Sequence, residues 1–345
     1  MSRDQSVYEA ATRRRNRAFR IAFRGAGALV AGALITAFGS GNDAQATVAD
    51  HHPSGIRSVA FSFDSKYLAA ADADGKIFIW ATPSDKIHNV LRDPASRGVN
   101  AVAFSPDGRL AAGDGNGHVY LWSGTHARKL TDPHSKGVND VAFTPNSKYL
   151  AAADANGNTY IWSLATFKIV ATLSDPHSRG VRSVAFSFDY KFMAAADGNN
   201  KTYVWATPAD TIHATLRDPD SKGVRAVAFS RNDKLLATAD GNGHVYLWSG
   251  AHSRKLTDPH SRGINGLAFS PNRKFLATAD ANGSAYIWRL AGYKVVSHLT
   301  THGSRGVNAV AFAPNDKVVA TGDGNDNAYI SHISRAGIPM SSTGP

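Results

Sequence analysis

The run Val99-Asn100-Ala101-Val102-Ala103-Phe104-Ser105-Pro106-Asp107-Gly108 decides the fold, because the chain repeats its pattern seven times. Each copy begins on a glycine, at Gly55, Gly98, Gly137, Gly180, Gly223, Gly263 and Gly306, with spacings of 43, 39, 43, 43, 40 and 43 residues. A period of about 40–45 residues holding four strand-like runs is that of a propeller blade, which must stack on its neighbours to cover its apolar faces. In the third copy Val138 to Phe143 reads as strand a, Tyr149 to Ala153 as b, Thr159 to Trp162 as c and Lys168 to Leu173 as d. The b–c connection, Asp154-Ala155-Asn156-Gly157, carries residues that tolerate positive φ, as a tight antiparallel turn requires.

A longer period lies above the blade. The copy at Gly55 resembles that at Gly180, Gly98 resembles Gly223 (both contain GNGHVYLWSG), and Gly137 resembles Gly263. Three blades were duplicated as a unit, and the seventh begins a third copy. With 345 residues the chain has length for one large domain or two, and the repeats choose one.

These repeats resemble the WD40 family over Val48 to about Ser331. The resemblance rests on Val99 to Gly108 and on a Trp closing strand c in six copies: Trp80, Trp122, Trp162, Trp205, Trp248 and Trp288. It implies an all-β, seven-bladed propeller with those tryptophans packed between neighbouring sheets. Several family positions depart from the pattern. The residue after Trp is Ala81, Ser123, Ser163, Ala206, Ser249 or Arg289 in place of Asp, and Ser331 stands where a seventh Trp belongs. In the b–c turn the family Asp survives as Asp74, with Asn156, Asn242 and Asn282 elsewhere. The family His before strand a is recognisable in His134, His177 and His260 but not in the blades beginning at Gly98 or Gly223. The buried His–Asp network of such blades is therefore expected to be weaker or rearranged.

The seventh copy lacks a strand d, since the tail 335–345 contains Pro339 and no strand pattern, and an unpaired strand c would leave the ring without a latch. Val48-Ala49-Asp50-His51-His52 aligns with Leu130-Thr131-Asp132-Pro133-His134, and Ala46-Thr47-Val48 with Ala171-Thr172-Leu173. The start of the chain is thus expected to supply the missing strand, giving a propeller over 44–334.

Residues 1–41 read as a signal peptide or membrane anchor. Arg13, Arg14, Arg15, Arg17, Arg20 and Arg24 precede an uncharged stretch, Gly25 to Asn42, with an apolar heart at Ala26 to Phe38. That heart is short of the roughly 20 apolar residues a membrane-crossing helix needs, which favours cleavage and export over an uncleaved anchor helix. Ala44-Gln45-Ala46 is the best small-residue cleavage motif, but cutting there removes most of the closing strand, so cleavage is expected nearer Gly39 or Gly41.

Composition excludes much chemistry. The chain has no Cys, so disulfides, thiolate metal sites and cysteine nucleophiles are out, and Glu9 is its only Glu. No nucleophile elbow, HExxH zinc motif, phosphate-binding P-loop or dinucleotide fingerprint occurs. The turns Asp72-Ala73-Asp74-Gly75, Asp114-Gly115-Asn116-Gly117 and Asp154-Ala155-Asn156-Gly157, with equivalents at Asp197, Asp240, Asp280 and Asp323, look superficially like the start of a calcium loop. They lack a downstream acidic ligand and read as turns whose side chains bond their own backbone. His51 and His52 have no third ligand, so no metal or other cofactor is expected.

One group of residues gathers. The resemblance puts the d–a and b–c loops on one face, where Arg97, Lys136, Arg179, Lys222, Arg262 and Arg305 would form a basic ring. Beside them come Arg57, Asn100, Asn139, Arg182, Arg225, Asn265 and Asn308, the second residues of strands a, with the turn aspartates interleaved. These charges either bind a partner or bridge loops within the fold. The net charge of +11 divides into +4 over residues 1–46 and +7 beyond. A protein partner is the leading expectation for this non-enzymatic, exported scaffold, and an anionic envelope polymer the next. An enzyme or small-ligand site at the channel mouth is a further alternative. Nucleic acid ranks last because the face lacks aromatic platforms, and membrane contact is expected only through the N-terminal segment.

Overall fold

The computed structural model describes residues 55–82, 86–93, 96–131, 135–207, 210–218, 221–257, 261–300 and 304–333, and the backbone of two short strands at 35–36 and 45–49. The remainder of the expected export segment, the histidines His51, His52, His134 and His260, and the tail 335–345 lie outside the described residues. Among the described residues there is no helix, hence none long and apolar enough to cross a membrane.

Seven antiparallel sheets follow one another along the chain. The first runs a to d through Ile56–Phe61, Tyr67–Asp72, Lys76–Ala81 and Lys86–Arg92, and five more repeat this order. The seventh supplies strands a to c as Val307–Phe312, Val318–Asp323 and Asn327–His332. Each strand a lies against the strands a of the blades before and after it, and Val307–Phe312 lies against Ile56–Phe61, so the inner strands form a closed ring.

Residue choice follows distance from the axis. Strand b of the first blade, YLAAAD, is buried on both faces: Ala69, Ala70 and Ala71 have no exposed surface, and small side chains let neighbouring sheets converge. Strand d, KIHNVLR, buries only Leu91, as expected of an outer edge facing water. The core is therefore seven seams and not one centre. Phe61, Leu68 and Trp80 of the first blade pack with Ala313, Val318 and Ile330 of the seventh, and Trp122 of the second packs with Ile77 and Ile79 of the first. All six tryptophans are buried in such seams, each against the preceding blade.

One irregularity recurs in every blade. The pairing of strands a and b skips the second residue of strand a, as between Val138 and Asp140 or Val181 and Ser183. A bulged residue leaves the ladder and its side chain is re-aimed. In the seven blades that residue is Arg57, Asn100, Asn139, Arg182, Arg225, Asn265 or Asn308.

Candidate functional site

Freed by the bulge, these seven side chains reach along the ring to the next blade. Asn100 Nδ2 donates to the Val138 carbonyl at 2.8 Å, Asn139 to Val181 at 2.7 Å, Asn265 to Val307 at 3.0 Å and Asn308 to Ile56 at 2.8 Å. Arginine achieves the same with a longer reach: Arg57 Nη1 donates to Asn100 Oδ1, and Arg225 Nη1 to Asn265 Oδ1 at 3.0 Å. Arg182 is the exception, because its neighbour around the ring is Arg225. The result is a belt of side chains around the start of the inner strands, with a break between the fourth and fifth blades. Apart from Arg57, these residues are half-buried.

Outside this belt stand Arg97, Lys136, Arg179, Lys222, Arg262 and Arg305, all exposed. None forms an ion pair among the described residues. The opposite face is mixed: in its a–b turns Lys66 pairs with Asp64 at 3.0 Å, Arg109 with Asp107 at 2.7 Å and Lys191 with Asp189 at 3.2 Å, while Lys148, Lys234, Lys274 and Lys317, whose turns carry Asn in that place, form no ion pair among the described residues.

The backbone carrying Lys136, Arg179 and Arg262 is pinned from below. Asp197 Oδ1 accepts the Arg179 amide at 3.0 Å and the Asn199 amide at 2.7 Å, while Oδ2 accepts the Ser178 hydroxyl. The Ser–Asp pair recurs as Ser135 with Asp154 and Ser261 with Asp280. The residue after each cation is the repeat glycine. At Gly98 φ is +97°, and a Cβ would lie 2.5 Å from the Ala73 carbonyl oxygen of the preceding blade, so only glycine allows the loop to cross the seam.

The turn aspartates do not interleave with the surface cations as the sequence led us to expect. Asp72, Asp114, Asp154, Asp197, Asp240, Asp280 and Asp323 have no exposed surface. Backbone capture explains this: Asp72 Oδ1 accepts the amides of Asp74 at 2.9 Å and Lys76 at 2.7 Å, and Asp114 accepts those of Asn116 and His118 at 2.9 and 2.7 Å. One oxygen of each carboxylate is committed to its own turn, and among the described residues no group of three His, Asp or Glu is placed to hold a metal ion.

A second set of buried carboxyls was missed in the sequence. Asp93, Asp175 and Asp218 lie at the ends of outer strands, each beside the turn aspartate of the next blade. Burial, then repulsion from Asp197, pushes Asp175 up to about 8. Burial lifts Asp218 to about 7 against two bonds from the Thr238 hydroxyl, at 2.9 and 3.0 Å, with Asp240 adding to the rise. Asp93 is raised by burial and then by Asp114. Thr238 also accepts the Trp248 indole at 3.0 Å, so a Trp–Thr–Asp relay occupies the seam of this blade. His177, a residue of the expected His–Asp network, is exposed. The signal lay in a repeated Asp-Pro-x-Ser run, at Asp93, Asp132, Asp175, Asp218 and Asp258, that precedes five of the glycines.

A closed ring of seven sheets, each covered by its neighbours and presenting its d–a and b–c loops on one basic face, defines the class: a repeat propeller. The family model described as "WD domain, G-beta repeat" matches residues 44–81, 86–123, 125–163, 167–206, 211–249, 252–289 and 293–330, and the chain belongs to the WD40-repeat family. Propellers of this family commonly mediate protein interaction and are typically non-enzymatic scaffolds.

Proposed function

We propose that this protein is an exported, non-enzymatic scaffold that holds an acidic protein partner on its d–a and b–c loop face. The observation that carries this reading is the ring of cations on one face: six exposed cations, one in each d–a loop described, have no carboxylate partner among the described residues, whereas on the opposite face Lys66, Arg109 and Lys191 are paired within their own turns. Such a ring of like charges attracts a complementary partner, and the turns of Lys136, Arg179 and Arg262, held by aspartate, lose little backbone freedom when it docks.

The test compares two surface variants of the full chain. One replaces Arg97, Lys136, Arg179, Lys222, Arg262 and Arg305 by Ser, and the other replaces the exposed lysines Lys66, Lys148, Lys191, Lys234, Lys274 and Lys317 of the a–b turns. Capture of proteins from the extracytoplasmic fraction should be lost in the first variant and kept in the second. Equal capture by both, or capture that survives protease but not polymer-degrading enzymes, overturns the protein-scaffold reading.

Export rests on the arginine-rich start followed by the uncharged stretch 25–42. Ring closure by the chain's start belongs to the same proposal. The pairing of Gln45–Ala49 with Asn327–His332, in register from Gln45 opposite Ser331 to Ala49 opposite Asn327, supports it. So does the first family match, which begins at residue 44 just as later matches begin on an outer strand. N-terminal sequencing of fractionated native protein should find a start at or before Ala44 outside the cytoplasm. An intact cytoplasmic chain rejects export, and a start at Thr47 rejects this closure.

A further inference from the structure

The break in the belt has a chemical consequence. In the first blade Arg57 lies across Gly98, where a Cβ would sit 2.9 Å from Nη1, and donates to Asn100. Arg182 lies in the same way across Gly223, again with Nη1 2.9 Å from the Cβ position. The residue equivalent to Asn100 is here Arg225, which has no acceptor oxygen to offer and donates onward to Asn265. Arg182 is thus half-buried with no hydrogen-bond acceptor for its guanidinium among the described residues, and the next group around the belt is a second guanidinium, that of Arg225, whose Nη1 lies 2.8 Å from the Cβ position of Gly263. Burial and then the Arg225 charge oppose its ionisation, while Asp197 favours it.

The surroundings add to the positive charge. Arg179 and Lys222, both exposed, carry their Cβ atoms over Gly198 and Gly241, the glycines of the two b–c turns that flank this seam. The nearby carboxyls offset little. Asp197 is bonded to Ser178 and to two backbone amides, and Asp175 and Asp218 are held toward their neutral forms by burial.

We propose that this gap in the belt, where Arg182 and Arg225 follow one another with no acceptor between them, binds a doubly charged tetrahedral oxyanion, a phosphate or sulfate group either free or as a terminal ester. Two forked guanidiniums offer donors to several oxygens at once, and a dianion neutralises both cations where a single carboxylate leaves one uncompensated. The bound group supplies the acceptor that Asn100 supplies to Arg57 in the duplicated unit.

The inference rests on the loop face being the working face, but its test needs no protein partner. Calorimetric titration of the full chain with inorganic phosphate, at fixed ionic strength, should give one site. Arg225→Asn copies the internal repeat, restores the acceptor, and should weaken phosphate binding at least about tenfold without lowering Tm. Arg57→Asn removes the same charge on the far side of the ring and should leave the affinity unchanged. Equal weakening in the two variants reduces the effect to net charge and overturns the site, as does absence of binding to the wild type. Phenyl phosphate binding as tightly as phosphate identifies an ester-accepting notch, and phosphate alone binding identifies a free-anion site. Acetate binding as tightly as phosphate overturns the dianion assignment. Failed titration with intact partner capture sinks only this site; intact titration with failed capture sinks only the scaffold reading.

Discussion

The Asn308 side-chain amide donates to the carbonyl oxygen of Ile56 at 2.8 Å, across 252 residues of sequence. It is the closing contact of a belt whose other asparagine members join adjacent blades in the same way. Removing the amide in Asn308→Ala should lower stability by about 1 kcal/mol, the net worth of such a bond. Asn139→Ala should lower it comparably. Urea denaturation checks this through a shifted midpoint at unchanged slope, and no shift in either variant would show that the belt contributes nothing.

Stability should fall as pH rises from about 5 to 8. Asp175, raised from 3.8 to about 8, keeps a proton in the folded chain that the unfolded chain releases above about pH 4. Its contribution is complete below that pH and lost as pH rises through the folded value, and Asp218, raised to about 7, acts in the same direction. Each such carboxyl removes up to about 1.4 kcal/mol per pH unit within its window. Thermal melts in matched buffers measure the slope, and Asp175→Asn should flatten it. A wild-type Tm that climbs across this range refutes the assignment.

Two glycines of positive φ should respond differently to alanine. Gly98→Ala drives a Cβ to 2.5 Å from the Ala73 carbonyl oxygen and should cost several kcal/mol or prevent folding. Gly250, at φ +61° with nothing within 4 Å, should lose only about 1 kcal/mol for its backbone conformation. Paired denaturation curves check the contrast.

Thr238→Val keeps the shape of the fifth-blade seam and removes the hydroxyl between Trp248 and Asp218. With the indole and the carboxyl left unsatisfied, about 1–3 kcal/mol should be lost. The loss should grow with pH, because the Thr238 bonds are what hold Asp218 down. Melts of both proteins at pH 5 and pH 8 measure this, and a pH-independent difference would separate Thr238 from the carboxyl.

A chain beginning at Ala44 should match the full-length protein in stability, whereas one beginning at Asp50 lacks the strand Gln45–Ala49 and should unfold at lower temperature. Equal melting of the two truncations would remove that strand from the closure.

Much of this architecture is legible in the sequence. Repetition made the blade visible, since one period carried the glycine, the strand pattern and the Trp of each copy, and the six tryptophans are buried in the seams between blades. The basic residues before the repeat glycines were legible as well, by position and charge, though not that they stand without carboxylate partners among the described residues.

What the sequence determined by itself is local and periodic: strand alternation, turns whose aspartates cap their own amides, and a count of seven blades. Tertiary structure decided everything that depends on which residues meet across a seam. Asp175 and Asp197 are separated along the chain by two strands, and only the folding of an outer strand against the next blade makes them a buried pair. Arg182 and Arg57 occupy equivalent positions in duplicated blades, yet one finds an amide oxygen ahead of it and the other a second guanidinium. A side chain's own position fixes its reach, but its hydrogen-bond partner belongs to the neighbouring blade, so its chemistry is decided only when the ring closes.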